Sequence, residues 1–310
     1  MKALFVTPVS EDKKALFQHN DAEIIYKSRK DVTAEDLQDV EIILGNLPLD
    51  LLQQAPMLKW VQLDSAGIGT LSQLPEQVQL TNASGAYGEA ISEHMIAAVL
   101  AMMKNLYHYQ ALQEEHAWTN LGSVNTISSS TVLSIGMGDI GSAFSRKMNA
   151  LGAEVCGIRR TAHEKPDYLK ALGTMEDIDA WLPKADIVAL SLPETAETKH
   201  LFNEERLRRM KRGALLINVG RGSAIDTEAL IHVMQDHYLA GVHLDVTEWE
   251  PLPKNCQLWE IPNVYITPHI SGRFNAKVTY DKVLQIFADN LDHYCKHEPL
   301  EHLVDKKAGY

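Results

Sequence analysis

The sequence predicts an α/β protein of two domains, each a doubly wound parallel sheet, and three observations carry that prediction. Short β-branched or apolar runs alternate with helical stretches along the whole chain, the pattern of helices layered on parallel strands. The alternation falls into two blocks separated by one long helical stretch. The second block holds six strand-like runs, the number of a complete doubly wound sheet, and opens on three closely spaced glycines. A chain of 310 residues suits about two domains, and 45% hydrophobic with 23% charged residues is enough to bury two full cores.

In chain order, the first block offers strands at Ala3–Thr7, Glu23–Tyr26, Glu41–Leu44, Lys59–Leu63 and Val78–Thr81, with helical segments at Thr33–Asp39 and Leu49–Gln54. These could close a small sheet of their own. The stretch Tyr87–Tyr109 places Ile91, Met95, Ala98, Val99 and Met102 at helical spacing and reads as one long helix. Strands follow at Val132–Gly136, Val155–Ile158, Ile187–Leu192, Leu215–Val219, Gly241–Val246 and Val264–Thr267, and Ala276–Tyr294 reads as a last helix. No internal repeat or low-complexity tract is evident.

A net charge of −12 disfavours nucleic acid and anionic membranes as partners. No segment approaches the ~20 apolar residues of a membrane span. The N-terminus has no apolar run of signal-peptide length. Cys156, Cys256 and Cys295 show no metal or disulfide spacing, and an odd count suits a reducing compartment, so a cytoplasmic location is expected. His293 and His297, four apart near Cys295 on the last helix, have no completing ligands and read as a solvated face; no metal site is expected.

The glycines Gly136, Gly138 and Gly141 lie between the strand Val132–Gly136 and a helix from Ile140, the setting of a diphosphate-binding turn. The amides of Asp139, Ile140 and Gly141 would face that diphosphate. After the next strand, where such folds place an acidic residue to accept from the ribose hydroxyls, the chain has Arg159, Arg160 and Thr161. Arginine only donates, in a planar fork suited to phosphate, so NADP is the expected cofactor and NAD the alternative.

Chemistry in such folds sits at the carboxyl ends of the strands. There the sequence places Arg221, between glycines, then Asp245 and Glu250, then His269. Arg221 suits a substrate carboxylate and its neighbouring carbonyl. His269 can exchange a proton with the carbonyl oxygen as hydride moves, and Glu250 can hold one imidazole nitrogen and favour the charged ring. Asp245 is placed to contact the nicotinamide. Trp249, beside Glu250, suits a pocket wall or loop packing equally well.

Gly136-x-Gly-x-x-Gly141, Leu192-Pro193 followed by Glu197-Thr198, Asn218-Val-Gly-Arg-Gly222, Leu244-Asp-Val246 with Glu250-Pro251, and Thr267-Pro-His-Ile270 resemble, in order and spacing, the D-isomer-specific 2-hydroxyacid dehydrogenases, with glyoxylate/hydroxypyruvate reductases among them. The resemblance covers nearly the whole chain. It implies a flavodoxin-like substrate domain from residues 1–98 and 275–310, with a Rossmann dinucleotide-binding domain, 99–274, inserted. It further implies a cleft active site, a homodimer, and conversion of small 2-keto acids to D-2-hydroxy acids. Arg221, Glu250 and His269 match the family's catalytic triad, and Asp245 its nicotinamide-contacting position. Leu192, Pro193, Thr198, Val219, Gly220, Ser271 and Gly272, with Arg221 and His269, fall along the implied cofactor site. In the first domain, Asp64-Ser-Ala-Gly-Ile-Gly69 resembles the loop whose amides hold the substrate carboxylate, pointing to Ala66 and Gly67, while Tyr87 falls in a second pocket-facing turn. Trp118 lies in a segment that related reductases use near the substrate, sometimes across the dimer.

Other functions on the same fold are separable by sequence. Formate dehydrogenases resemble the family but carry glutamine where this chain has Glu250. Phosphoglycerate dehydrogenases often add a regulatory domain for which the chain is too short. A nucleotide-sensing corepressor keeps the triad but uses long tails and basic docking surfaces, which are not evident here, and turnover of NADPH with a 2-keto acid separates it from an enzyme.

Overall fold

A computed structural model of the chain describes residues 1–18, 21–161, 163–272 and 274–307. By its contacts the chain divides into two compact units, Met1–Tyr87 with Ala276–Tyr310, and Gly88–Asn275.

Unit 1 is a five-stranded parallel sheet of β1 (Lys2–Phe5), β2 (Glu23–Tyr26), β3 (Ile42–Leu44), β4 (Trp60–Gln62) and β5 (Gln79–Thr81), in the order β2-β1-β3-β4-β5. That is the flavodoxin-like order. β3 and β4 are buried along their whole length, as expected of parallel strands covered on both faces. Among the described residues only short helical turns connect the strands, including α1 (Leu49–Leu52), and the helix read at Thr33–Asp39 is a single 3-10 turn, Glu35–Leu37. Its one buried residue, Leu37, leaves it too little apolar face to stabilise a longer helix.

The C-terminal helix α8 (Lys277–Cys295) completes this unit. Its Asn290 amide donates to Gln62 on β4 at 2.7 Å, Phe287 packs against Phe5, and Tyr294 stacks on Trp60. α8 ends at Cys295, so His297, with φ of 57°, lies beyond it.

Unit 2 begins with α2 (Gly88–Met103) and α3 (Leu106–Glu114). The sequence reads as one helix here, but Asn105 adopts the left-handed conformation, φ 55°, and splits it. α2 buries the expected Ile91, Met95, Ala98, Val99 and Met102. It packs mainly on α4 (Asp139–Ala150), within the unit that begins at Gly88.

The sheet of unit 2 is formed by β6 (Thr131–Ile135), β7 (Glu154–Ile158), β8 (Ala171–Gly173), β9 (Ile187–Leu190), β10 (Leu215–Asn218), β11 (Gly241–Leu244) and β12 (Val264–Ile266). They are all parallel, in the order β12-β11-β10-β9-β6-β7-β8, with α5 (Ile178–Trp181), α6 (Glu204–Arg209) and α7 (Thr227–Gln235) among the connections. The seventh strand, β8, corrects the count of six. It is an edge strand of three half-buried residues, too short for a periodic signal. The chain order reverses between β6 and β9, the switch point at which this fold class binds its ligands. Among the described residues no helix is long and apolar enough to cross a membrane.

Candidate active site

At the switch point β6 runs into Gly136, whose φ of 100° favours glycine. A Cβ there would stand 2.7 Å from the Ser191 carbonyl, and one at Gly141 would collide with the Gly136 carbonyl. Gly138 differs, since no described atom lies within 4 Å of a Cβ built there. The outer glycines therefore close the turn onto β9 and α4, while the middle one keeps the approach to the α4 N-terminus bare. First-turn helix amides lack intrahelical acceptors and favour an anion, so this cradle fits a dinucleotide diphosphate. Ile140 lies in that first turn. Asp139 does too, but its carboxylate accepts from the Gly88 amide at 2.7 Å and so fastens α2 to α4. Gly141→Ala is expected to destabilise the protein by about 1–3 kcal/mol through overpacking, read as a lower melting temperature, and to weaken NADPH binding.

Past β7, Arg159 is half-buried, and its guanidinium makes no hydrogen bond or ion pair among the described residues. Arg160 and Thr161 are exposed. Past β9, Leu192 is buried, Pro193 is half-buried, and the Thr198 hydroxyl donates to the Pro193 carbonyl at 2.7 Å, closing that loop. Past β10, Val219 and Gly220 are buried, and a Cβ on Gly220 would lie 2.6 Å from the Leu192 backbone. Arg221 follows with its Nη1 on the Gly220 carbonyl at 2.7 Å and no carboxylate partner among the described residues. The turn beyond it packs closely, since a Cβ on Gly222 would collide with the Thr247 carbonyl.

Just past β11 comes Asp245, which is 1% exposed. Its Oδ1 accepts from the Thr267 hydroxyl at 2.6 Å and the Ile270 amide at 3.0 Å, and its Oδ2 from the Ser271 amide at 3.1 Å and the Ser271 hydroxyl. Burial alone would raise this carboxyl, but the hydrogen bonds outweigh it and hold the group below its usual range. The Asp245 carbonyl also accepts from the His269 amide at 2.8 Å. Asp245 thus holds the loop of His269, whose φ of 51° is uncommon outside glycine. Ser271 is part of that cage, and Gly272 follows half-buried.

His269 meets Glu250, Nδ1 to Oε2, at 2.7 Å, and the other Glu250 oxygen accepts from the Thr247 amide at 3.2 Å. An ionised carboxylate can only accept, so Nδ1 carries the proton. The side chain of Trp249 is exposed. Beneath this loop, His243 on β11 lies 3.0 Å from His94 on α2, Nε2 to Nε2. Burial, then the neighbouring His94, pushes His243 down to about 4, so it stays neutral near pH 7.

In unit 1 the loop Asp64–Gly69 is held from below. Asn46 accepts from the Asp64 amide at 3.0 Å and donates to the Ser65 hydroxyl, and Asn82 donates to the Ala66 carbonyl at 2.9 Å. The amides of Ser65, Ala66, Gly67 and Ile68 take no acceptor among the described residues, which leaves a run of donors suited to an anion. Tyr87 is buried and its hydroxyl donates to the Asp64 carbonyl, so it supports this loop. Burial, then the Asp64 charge, raises its phenol.

A switch-point glycine turn on a seven-stranded parallel sheet, with a carboxylate-held histidine at the ends of its last strands, defines a nicotinamide-dinucleotide oxidoreductase. Residues 96–271 match the family model described as D-isomer specific 2-hydroxyacid dehydrogenase, NAD binding domain, and the chain belongs to this family. It is 30% identical over 279 residues to a glyoxylate reductase of Thermofilum pendens, covering 86% of this chain and 80% of that one. It is similar to the D-isomer specific 2-hydroxyacid dehydrogenase of Xanthobacter autotrophicus, solved in complex with NADPH and MES, with TM-score 0.86, 27% identity, and 100% and 99% of the two chains covered. It is also similar to the NADPH-dependent glyoxylate/hydroxypyruvate reductase of Sinorhizobium meliloti, solved with NADP and sulfate, with TM-score 0.85, 27% identity, and again 100% and 99% covered. The protein is an NAD(P)-dependent oxidoreductase.

Proposed function

We propose that the protein reduces small 2-keto acids, glyoxylate and hydroxypyruvate foremost, to D-2-hydroxy acids, with NADPH the preferred cofactor. The observation that carries this reading is the 2.7 Å contact of Glu250 with His269 Nδ1, which leaves Nε2 as the nitrogen that gives its proton to the carbonyl oxygen. The glycine turn would hold the diphosphate of a dinucleotide, whose nicotinamide would supply the hydride. Arg221, with no carboxylate partner among the described residues, holds the carboxylate of the substrate and polarises the adjacent carbonyl. In unit 1, the donor amides of Ala66 and Gly67 are assigned to substrate binding. Asp245 keeps His269 in place, and the backbone along Leu192, Pro193, Thr198, Val219, Gly220, Ser271 and Gly272 is assigned to the cofactor.

The substrate class is supported by the relatives named glyoxylate reductase and glyoxylate/hydroxypyruvate reductase. Oxidation of NADPH by the purified protein with a panel of 2-keto acids, followed by the loss of its absorbance, tests it. No turnover with any member overturns the reading. A cytoplasmic homodimer belongs to the same proposal, supported by three free cysteines and by the exposed Trp118, Leu121 and Val124, which a second copy would cover.

The NADPH preference rests on Arg159, half-buried and without an anionic partner among the described residues. A hydrogen bond to a charged group contributes roughly 1.5–3 kcal/mol, so Arg159→Ala is expected to weaken NADPH binding about ten- to a hundredfold. Arg159→Asp goes further, because a carboxylate repels the 2′-phosphate and accepts from the ribose hydroxyls of NADH. The ratio of kcat/KM for NADPH over NADH is expected to fall by more than in Arg159→Ala. A ratio that neither substitution moves places the arginine outside the cofactor site and leaves NAD as the cofactor.

A further inference from the structure

Arg221 and Glu250 stand on loops that follow different strands, β10 and β11, and their separation is set by whatever ties those loops together. His200 touches both. Its amide donates to the carbonyl of Ser223, in the turn just beyond Arg221, at 2.7 Å. Its imidazole Nε2 lies 2.7 Å from Oε1 of Glu248, two residues before Glu250. Glu248 is the more buried partner, with 17% of its side chain exposed against 38% for His200. Its second oxygen accepts from the Thr227 amide, at the N-terminus of α7, at 3.3 Å. An ionised carboxylate only accepts, so the imidazole donates from Nε2. The two loops also meet where Gly222 leaves no room for a Cβ against the Thr247 carbonyl.

His200 adopts φ of 49°, an uncommon conformation outside glycine that persists only where surrounding contacts over-determine it. Its two hydrogen bonds, one from the backbone and one from the ring, are such contacts. They also divide its work. The backbone bond fixes the turn of Arg221, and the ring bond fixes the loop of Glu250.

We propose that His200, acting through Glu248, is a positioning residue for the reaction, holding the Glu250 loop in register with Arg221 so that Glu250 reaches His269. The inference rests on the proposed roles of Arg221, Glu250 and His269. It assigns His200 no contact with substrate or cofactor.

The test compares His200→Ala with His200→Gln, each in the wild-type and the Glu250→Gln backgrounds, by steady-state reduction of glyoxylate or hydroxypyruvate with NADPH across pH. Both replacements bear the same strain at φ of 49°, but only glutamine keeps an N–H able to reach Glu248. His200→Ala is expected to lower kcat about tenfold, the size of one coupled contact, while the KM of the keto acid and the Kd of NADPH stay near wild type. Its pH optimum for reduction should move down, as in Glu250→Gln, because a displaced carboxylate no longer favours the charged imidazole. His200→Gln should recover most of both effects, and in the Glu250→Gln background His200→Ala should cost little more.

A folded His200→Ala with wild-type kcat and pH optimum, or full additivity with Glu250→Gln, overturns the proposal. If His200→Ala does not fold, Glu248→Gln decides, since it keeps an acceptor for Thr227 and loses the charge facing His200. A smaller downward shift of the same pH optimum supports the proposal, and an unchanged profile overturns it. An optimum that Glu250→Gln itself leaves in place defeats the site reading, whereas one moved by Glu250→Gln but not by the His200 variants defeats only the role of His200.

Discussion

His269→Gln is expected to lower kcat by about 10²–10⁴-fold, the contribution of a positioned general acid, while the Kd of NADPH stays close to wild type. In this reading the diphosphate is assigned to the turn at Gly136–Gly141 and the 2′-phosphate to Arg159, and the substitution leaves both in place, so binding and chemistry should separate. Glutamine also retains a polar side chain at a position whose φ of 51° is held by the Asp245 cage. A fall in kcat without a fall in melting temperature would therefore report the lost proton donor. Undiminished turnover would remove His269 from the mechanism, and fluorescence titration of NADPH alongside the assay reads both quantities on one preparation.

Arg221→Ala should be nearly as damaging, but in kcat/KM for the keto acid. Two hydrogen bonds to a carboxylate, at roughly 1.5–3 kcal/mol each, correspond to a loss of about 10²–10⁴-fold. Arg221→Lys keeps the charge without the planar fork, so about one bond is lost and the fall should be about ten- to a hundredfold. The geometry favours this reading because, among the described residues, no carboxylate pairs with the guanidinium. A 2-keto amide should be a far poorer substrate than the matching acid for wild type, and Arg221→Ala should narrow that gap. Equal turnover of amide and acid by wild type would show that carboxylate recognition by Arg221 is the wrong idea.

The glycine turn was legible in the sequence because its causes are local. Gly136 needs a backbone conformation that favours glycine, Gly141 needs the absence of a Cβ, and both sit within six residues of the strand that precedes them. The strand ends bearing Arg221, Asp245, Glu250 and His269 were legible for a related reason. Parallel strands buried on both faces read as continuous apolar runs, and the first polar residues after each run must lie at its carboxyl end. Weak local signals failed where expected. β8 is three half-buried residues, and the break at Asn105 is a single left-handed residue inside an otherwise helical pattern.

By itself, then, the sequence determined the fold class, the glycine turn and which polar residues stand at the strand ends, since each follows from periodicity or from the steric needs of single residues. Tertiary structure alone decided how those residues are used. Asp139 turns to the start of α2, Tyr87 turns inward to the Asp64 carbonyl, Asp245 spends its oxygens on the His269 loop, and His200 reaches Glu248. These contacts join residues 23 to 51 positions apart in the chain. A side chain's hydrogen-bond partner depends on strand register and on how neighbouring loops pack, and neither leaves a periodic trace along the chain.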